Sequence, residues 1–333
     1  MVGDPHPAKL NASAKSCRTY FTGADGVCAH YVRMGIGGWR LDVADELSDR
    51  FLDELRASVK GASQDRPEGA AVIIGEVWEN AADKIAYGYR RRYLQGKQLD
   101  SVMNYPVRTG ILSFVRNGDA EALYHTLTEL YASYPRCVSD ALMNLLGTHD
   151  TERILTVLGS DPQDLCRPNQ ELAQASLSPK RRAAALKLLR MAAVLQFTVF
   201  GIPSVYYGDE VGMEGYHDPF CRFPIPWQDV EGTAVNAARV ELLAFYRALG
   251  ELRKSPAFHG GSFGILCHGD AHIAYQRTSA DGKESYLIAA NRGSTPLSMA
   301  VDPHGCVAIS SGHVTLKKGK LTLDQDSVCV IKI

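Results

Sequence analysis

The eight cysteines of this 333-residue chain include no Cys-x-x-Cys pair, and none has histidines nearby at zinc-binding spacing. That leaves no sequence support for a zinc ribbon or a thioredoxin-type centre, and the scattered thiols at positions 17, 28, 137, 166, 221, 267, 306 and 329 read as buried free cysteines. An excess of either charge is lacking too. Lys and Arg number 36 against 37 Asp and Glu, for a net charge of −1, so neither a nucleic acid nor an anionic membrane has a footprint here, and a neutral partner is expected. The longest apolar stretch, 192–207, is broken by Gln196, Thr198, Gly201 and Pro203. It falls short of the roughly 18 uninterrupted residues of a membrane span and is expected to be the end of a buried helix followed by a strand. The opening MVGDPHPAKLN has no basic n-region and no apolar h-region, which makes a cytoplasmic location the expectation.

What is present is enough apolar material, 45% of residues, for one large core and a second, smaller one. From residue 36 to about 250, short apolar runs alternate with amphipathic helical stretches, the mark of β/α units on a parallel sheet. Strands are expected at 38–43, 71–75, 101–104, 142–147 and 204–207. Between the first two, Leu47, Phe51, Leu55 and Val59 recur every four residues and give one apolar helix face, with Glu54 and Arg56 off it. Helices are also expected at 119–131, 179–195 and 237–254, with Lys180, Arg181 and Arg182 on a solvated face. Beyond about 255 the texture changes to short alternating runs with turn signals at Gly269-Asp270, Asp281-Gly282 and Lys318-Gly319. The expectation is a boundary there, with 1–254 and 255–333 as separate domains and an antiparallel β-sandwich as the second.

Three acids close three of the expected strands. Arg40 and Asp42 lie two apart in GWRLDV, so both project from one side of a strand, and the guanidinium would keep Asp42 ionised as a nucleophile requires. Glu76 finishes VIIG beside Trp78, an aromatic able to exclude water and raise the acid's pKa. Asp150 follows His149 at the end of the 142–147 run. With no second histidine at i+4 and no nearby cysteine, His149 suits hydrogen bonding to a polar ligand better than metal ligation. Each acid has a structural alternative, an ion pair at Asp42 and a helix cap at Glu76 or Asp150. The intervals between them, 34 and 74 residues, suit one β/α unit and two. Parallel neighbouring strands would then deliver all three to one rim, as a carboxylate pair flanking a glycosidic bond requires. Such acetal hydrolysis needs no cofactor and no metal.

These residues resemble the α-amylase family of glycoside hydrolases. Four blocks stand in the family's order: GWRLDVADE at 38–46, GEVW at 75–78, GTHD at 147–150 and GIPSVYYGDE at 201–210. The resemblance implies Asp42 as nucleophile, Glu76 as general acid/base and Asp150 as transition-state stabiliser, with Arg40, His149 and Trp78 as substrate contacts. A partial match at Pro7–Asn11 (PAKLN), together with GWRLDVADE, leans toward the neopullulanase, cyclomaltodextrinase and maltogenic amylase branch. That implies α-1,4-glucosidic bonds in short α-glucans, cyclodextrins or pullulan as substrates, and a second copy of the chain as a partner.

The family's first three barrel strands and its Asp-x-x-x-Asn-His block have no counterpart in these residues. The implied fold is therefore α/β, a partial (β/α)8 TIM barrel of about strands 4 to 8 followed by the C-terminal β-sandwich, in an N-terminally truncated member. A non-catalytic remnant that binds glucan through Trp78 stays open as the alternative. An amylase-like ectodomain of a transporter subunit is disfavoured, because it needs an anchoring span.

Overall fold

The structure is a computed structural model describing residues 10–231 and 236–333. Pro7, Ala8 and Lys9 of the PAKLN block lie outside the described residues. The chain forms two compact units. The first holds the described residues up to Asn104 with Ala132–Met143, and the second those of Tyr105–Tyr131 with Asn144–Ile333.

In the first unit, strands β1 (Gly38–Leu41), β2 (Val72–Gly75) and β5 (Ser101–Val102) form a parallel sheet in the order β1-β2-β5. A short antiparallel hairpin of β3 (Ile85–Ala86) and β4 (Tyr89–Arg90) stands between β2 and β5 in sequence. Parallel neighbours need a crossover, and helix Asp49–Ser63 supplies it between β1 and β2. The Ser48 side chain caps this helix by accepting from the Phe51 N–H, and the buried face is Phe51, Leu52, Leu55, Val59 and Ser63. The expected four-residue stripe is present except at Leu47, which sits before the cap. Arg56 turns to Asp100 at 2.8 Å instead of to solvent.

β1 stops two residues earlier than its apolar run suggests. Val43 adopts a left-handed backbone, φ 39°, and turns the chain into the one-turn 3₁₀ helix Ala44–Glu46. Beyond β5, Met103 bridges Met143 in parallel, the first residue of β6 (Met143–Leu145).

In the second unit β7 spans Ile202–Ser204, earlier than the expected 204–207. Tyr206 and Tyr207 leave the strand because both rings pack on the Arg153 guanidinium, 4.2 and 4.5 Å from their centroids. Helix Pro179–Thr198 opens with the Ser178 cap and a first-turn proline, and every residue from Met191 to Thr198 is buried. Its basic start is not simply solvated. Arg181 pairs with Asp161 and Asp164, and Arg182 pairs with Glu214.

The last strands are antiparallel, as their alternation and turn residues suggest. β8 (Ser262–Gly269), β9 (His272–Thr278), β10 (Ser285–Asn291), β12 (Cys306–Ser311) and β15 (Ser327–Lys332) make one sheet. β11 (Leu297–Ala300), β13 (Val314–Lys317) and β14 (Lys320–Leu323) make another. Ala274, Leu287, Ala289, Cys329 and Ile331 from the first sheet pack with Leu321 and Leu323 from the second. That shared apolar layer is what joins two sheets into a sandwich. The cysteines correct the expectation of uniform burial: all eight are free, but Cys137, Cys166 and Cys306 are exposed and only Cys28, Cys221 and Cys329 are buried. Among the described residues no helix is long and apolar enough to cross a membrane.

Candidate active site

Because β1 and β2 run parallel with Leu41 opposite Gly75, the next residue of each strand, Asp42 and Glu76, leaves the sheet at the same end. Backbone bonds extend the match, from Glu76 N–H to Leu41 O at 2.9 Å and from Ala44 N–H to Glu76 O at 3.1 Å. Arg40 joins the two carboxylates. Its Nη1 is 2.5 Å from Asp42 Oδ1 and its Nη2 3.0 Å from Glu76 Oε2. The acids are therefore no farther apart than one guanidinium and two hydrogen bonds.

Their surroundings differ sharply. The Asp42 side chain is 74% exposed, whereas that of Glu76 is 4% exposed. Burial of a carboxyl demands donors, and Glu76 has three: Arg40, the Val43 N–H at 2.8 Å to Oε2, and the Trp78 indole N–H at 3.2 Å to Oε1. Trp78 thus meets the acid through a polar edge while half of its surface stays exposed, so it is a donor more than a water shield.

Two backbone features hold this cluster. A Cβ at Gly75 would lie 2.5 Å from Leu99 Cδ1 and 3.2 Å from Ala44 Cβ, so a larger residue before Glu76 would push Leu99 aside. The left-handed Val43 aims its N–H at Glu76. For a β-branched residue that conformation is strained, and Val43 was not among the residues the motifs pointed to. No pattern in a sequence marks a valine with positive φ.

In the second unit, His149 Nε2 is 3.1 Å from Asp150 Oδ2, and Arg222 Nη2 is 3.5 Å from Asp150 Oδ1 while its Nε pairs with Asp218 at 2.6 Å. The 148–151 turn closes on itself: the Asp150 N–H donates to Thr148 Oγ1 and the Thr148 N–H to Thr151 Oγ1. The Cys221 thiol donates to His149 O at 3.1 Å. Just behind, fully buried Arg153 donates to Tyr207 O and pairs with Asp209 at 3.2 Å. Burial raises the Asp209 carboxyl to about 7, with Arg153 opposing the rise. A Cβ at Gly147 would lie 2.5 Å from Asp209 Oδ2, which explains the glycine of the GTHD block. Among the described residues no group of three His, Cys, Asp or Glu side chains could hold a metal ion.

Residues 2–239 match the family described as "Alpha amylase, catalytic domain". The chain belongs to the α-amylase family. Within it, the chain is similar to a cyclomaltodextrinase from a Bacillus species, 34% identical over 294 residues, covering 86% of this chain and 44% of that protein. It is also similar to neopullulanase 2 of Thermoactinomyces vulgaris, 35% identical over 229 residues, covering 68% and 32%. The ligand-free cyclic α-maltosyl-(1→6)-maltose hydrolase of Arthrobacter globiformis aligns in structure with a TM-score of 0.72 at 28% identity, covering 97% of this chain and 61% of that one. The chain thus spans less than half the length of these two sequence relatives. As an α-amylase-family member it has the amylase architecture of barrel strands and helices with C-terminal β-sheets.

In this family member, Arg153, Arg222 and Asp209 are the site-adjacent residues that motif reading undervalued. Arg222 pairs with Asp218 four residues earlier and also reaches Asp150.

Proposed function

We propose that this chain carries the catalytic carboxylates of a retaining glycosidase acting on α-1,4-glucosidic bonds of short α-glucans, cyclodextrins or pullulan. The observation that supports this most is Arg40 held between an exposed and a buried carboxylate at adjacent parallel strand ends. Retaining glycosidases need two carboxyl groups about 5 to 5.5 Å apart, and a shared guanidinium suits that spacing. Asp42, open to solvent, attacks the anomeric carbon to form a glycosyl ester while the glycosidic C–O bond breaks. Glu76 gives its proton to the departing oxygen. Water then attacks the same carbon, Glu76 takes the water's proton, and Asp42 leaves. Asp150 and His149 are assigned to the charged sugar, and Trp78 to the sugar beside Glu76.

In the same reading, β1, β2, β5, β6 and β7 are strands 4 to 8 of a barrel, 1–254 is the catalytic portion and 255–333 the sandwich domain. Support comes from the family match ending at 239 and from antiparallel strands beginning at Ser262.

The test is incubation of the purified chain with maltohexaose and with β-cyclodextrin, following the first-formed anomer by proton NMR. The expected product is the α-anomer, and Glu76→Gln is expected to lower the rate by about a thousandfold, within the range for general acid–base catalysis. Cleavage that survives Glu76→Gln, or an initial β-anomer, would refute the assignment.

A further inference from the structure

The β3–β4 hairpin carries three large side chains that the fold leaves mostly exposed. Ile85 is 68% exposed, Tyr87 69% and Tyr89 75%. Its two turn residues, Tyr87 and Gly88, both have positive φ, 54° and 81°, as a two-residue type I′ turn requires. Asparagine, aspartate or glycine fills the first turn position without strain, and tyrosine does not. Tyr89 sits across the ladder from Ala86, whose single methyl leaves the tyrosyl ring uncovered.

The hairpin is also fixed in place. Lys84 at its base pairs with Asp45 at 3.2 Å, the Tyr87 hydroxyl bonds to Glu46, and Tyr93 just beyond it donates to Asp45 at 2.6 Å. Asp45 and Glu46 form the 3₁₀ turn that directly follows Asp42 and Val43. The hairpin is therefore tied to the turn that follows the proposed nucleophile, in the same unit.

We propose that this hairpin is a further glucosyl-binding platform, on which the ring of Tyr89, with Tyr87 beside it, stacks against a pyranose of the α-glucan chain away from the bond being cleaved. This rests on the chain being an α-glucan-acting protein. A glucopyranose offers a face of C–H groups rimmed by hydroxyls, and an exposed aromatic ring with a hydroxyl at its wet end matches both parts.

The experiment is calorimetric titration of maltoheptaose into the Glu76→Gln chain, which prevents turnover, with and without Tyr89→Ala, Tyr89→Phe or Tyr87→Asn. Tyr89→Ala is expected to weaken binding at least fivefold, Tyr89→Phe less than threefold, and Tyr87→Asn about threefold with no fall in melting temperature. Equal affinity in the parent and Tyr89→Ala chains, equal losses for alanine and phenylalanine, or no maltoheptaose binding by the parent would each overturn the platform. Hydrolysis by the unmutated chain is read separately. Absence of cleavage counts against the catalytic reading alone, because the affinity series still decides the platform.

Discussion

Arg40 lies between Asp42 and Glu76 in the first unit, and Arg153 lies between Asp209 and the rings of Tyr206 and Tyr207 in the second. Both arginines face a buried acid, but Arg40 is 29% exposed and divides its charge between two carboxylates, one open to water. Arg153 is fully buried with one carboxylate and two aromatic faces. An ion pair left partly wet keeps its groups available to a substrate, whereas a dry pair wrapped in aromatics serves the fold. The same two residue types therefore build a half-open carboxylate cluster, the proposed catalytic one, in one place and a buried clamp in the other.

The comparison is broken most directly by removing each cation. Arg153→Met is expected to cost about 3 kcal/mol of stability, near the low end for opening a buried pair because Asp209 can take up a proton. Arg40→Met is expected to cost less, about 1 to 2 kcal/mol, because Arg40 is partly wet and Glu76 keeps the Val43 and Trp78 donors, and to lower glucan hydrolysis about a hundredfold. Urea unfolding and initial rates on maltohexaose check both, and the distinction fails if the two variants lose stability equally.

Next in size is a pH effect confined to the clamp. The Asp209 carboxyl stands at about 7 in the folded chain against about 3.9 unfolded, so the folded state binds the extra proton between those values. Its contribution is full below about pH 4 and is lost as pH rises through about 7. Urea midpoints from pH 5 to pH 8 should fall more steeply for the unmutated chain than for Asp209→Asn. Identical slopes would show that Asp209 does not titrate in this window.

The smallest effect sharpens the cluster's side. Val43→Gly removes a left-handed β-branched residue that is 47% exposed while keeping the N–H that faces Glu76. Stability is expected to rise by roughly 0.5 kcal/mol, the relief of strain exceeding the entropy of glycine, with the hydrolysis rate held within about twofold. A clear loss of melting temperature would mean that Val43 is not strained.

Much of this was legible from residue order. Alternating apolar runs located β1, β2, β5, β6 and β7 to within a few residues, because buried parallel strands are continuous apolar segments. The turn pairs Asp281-Gly282 and Lys318-Gly319 fall in the connections between antiparallel strands and Gly269-Asp270 at the end of β8, since only a few residue types tolerate those backbone angles. The ends were less legible. β1 was cut short at Val43 and β7 began early, both because a side chain or N–H beyond the ladder found a better partner than the next strand. The tyrosine hairpin at 85–90 carries no Asn-Gly or Asp-Gly signal and was not foreseen.

By itself, the amino-acid order determined the family, the positions of Asp42, Glu76 and Asp150, the parallel-then-antiparallel plan and the near-zero charge, since all of these are written in local pattern and composition. Only the folded chain decided that one arginine serves both Asp42 and Glu76, that Val43 bends its backbone to donate to Glu76, and that Arg153 is sealed against Asp209. Those outcomes depend on burial and on distances between segments far apart in sequence, and neither is encoded in the spacing of residues along one strand.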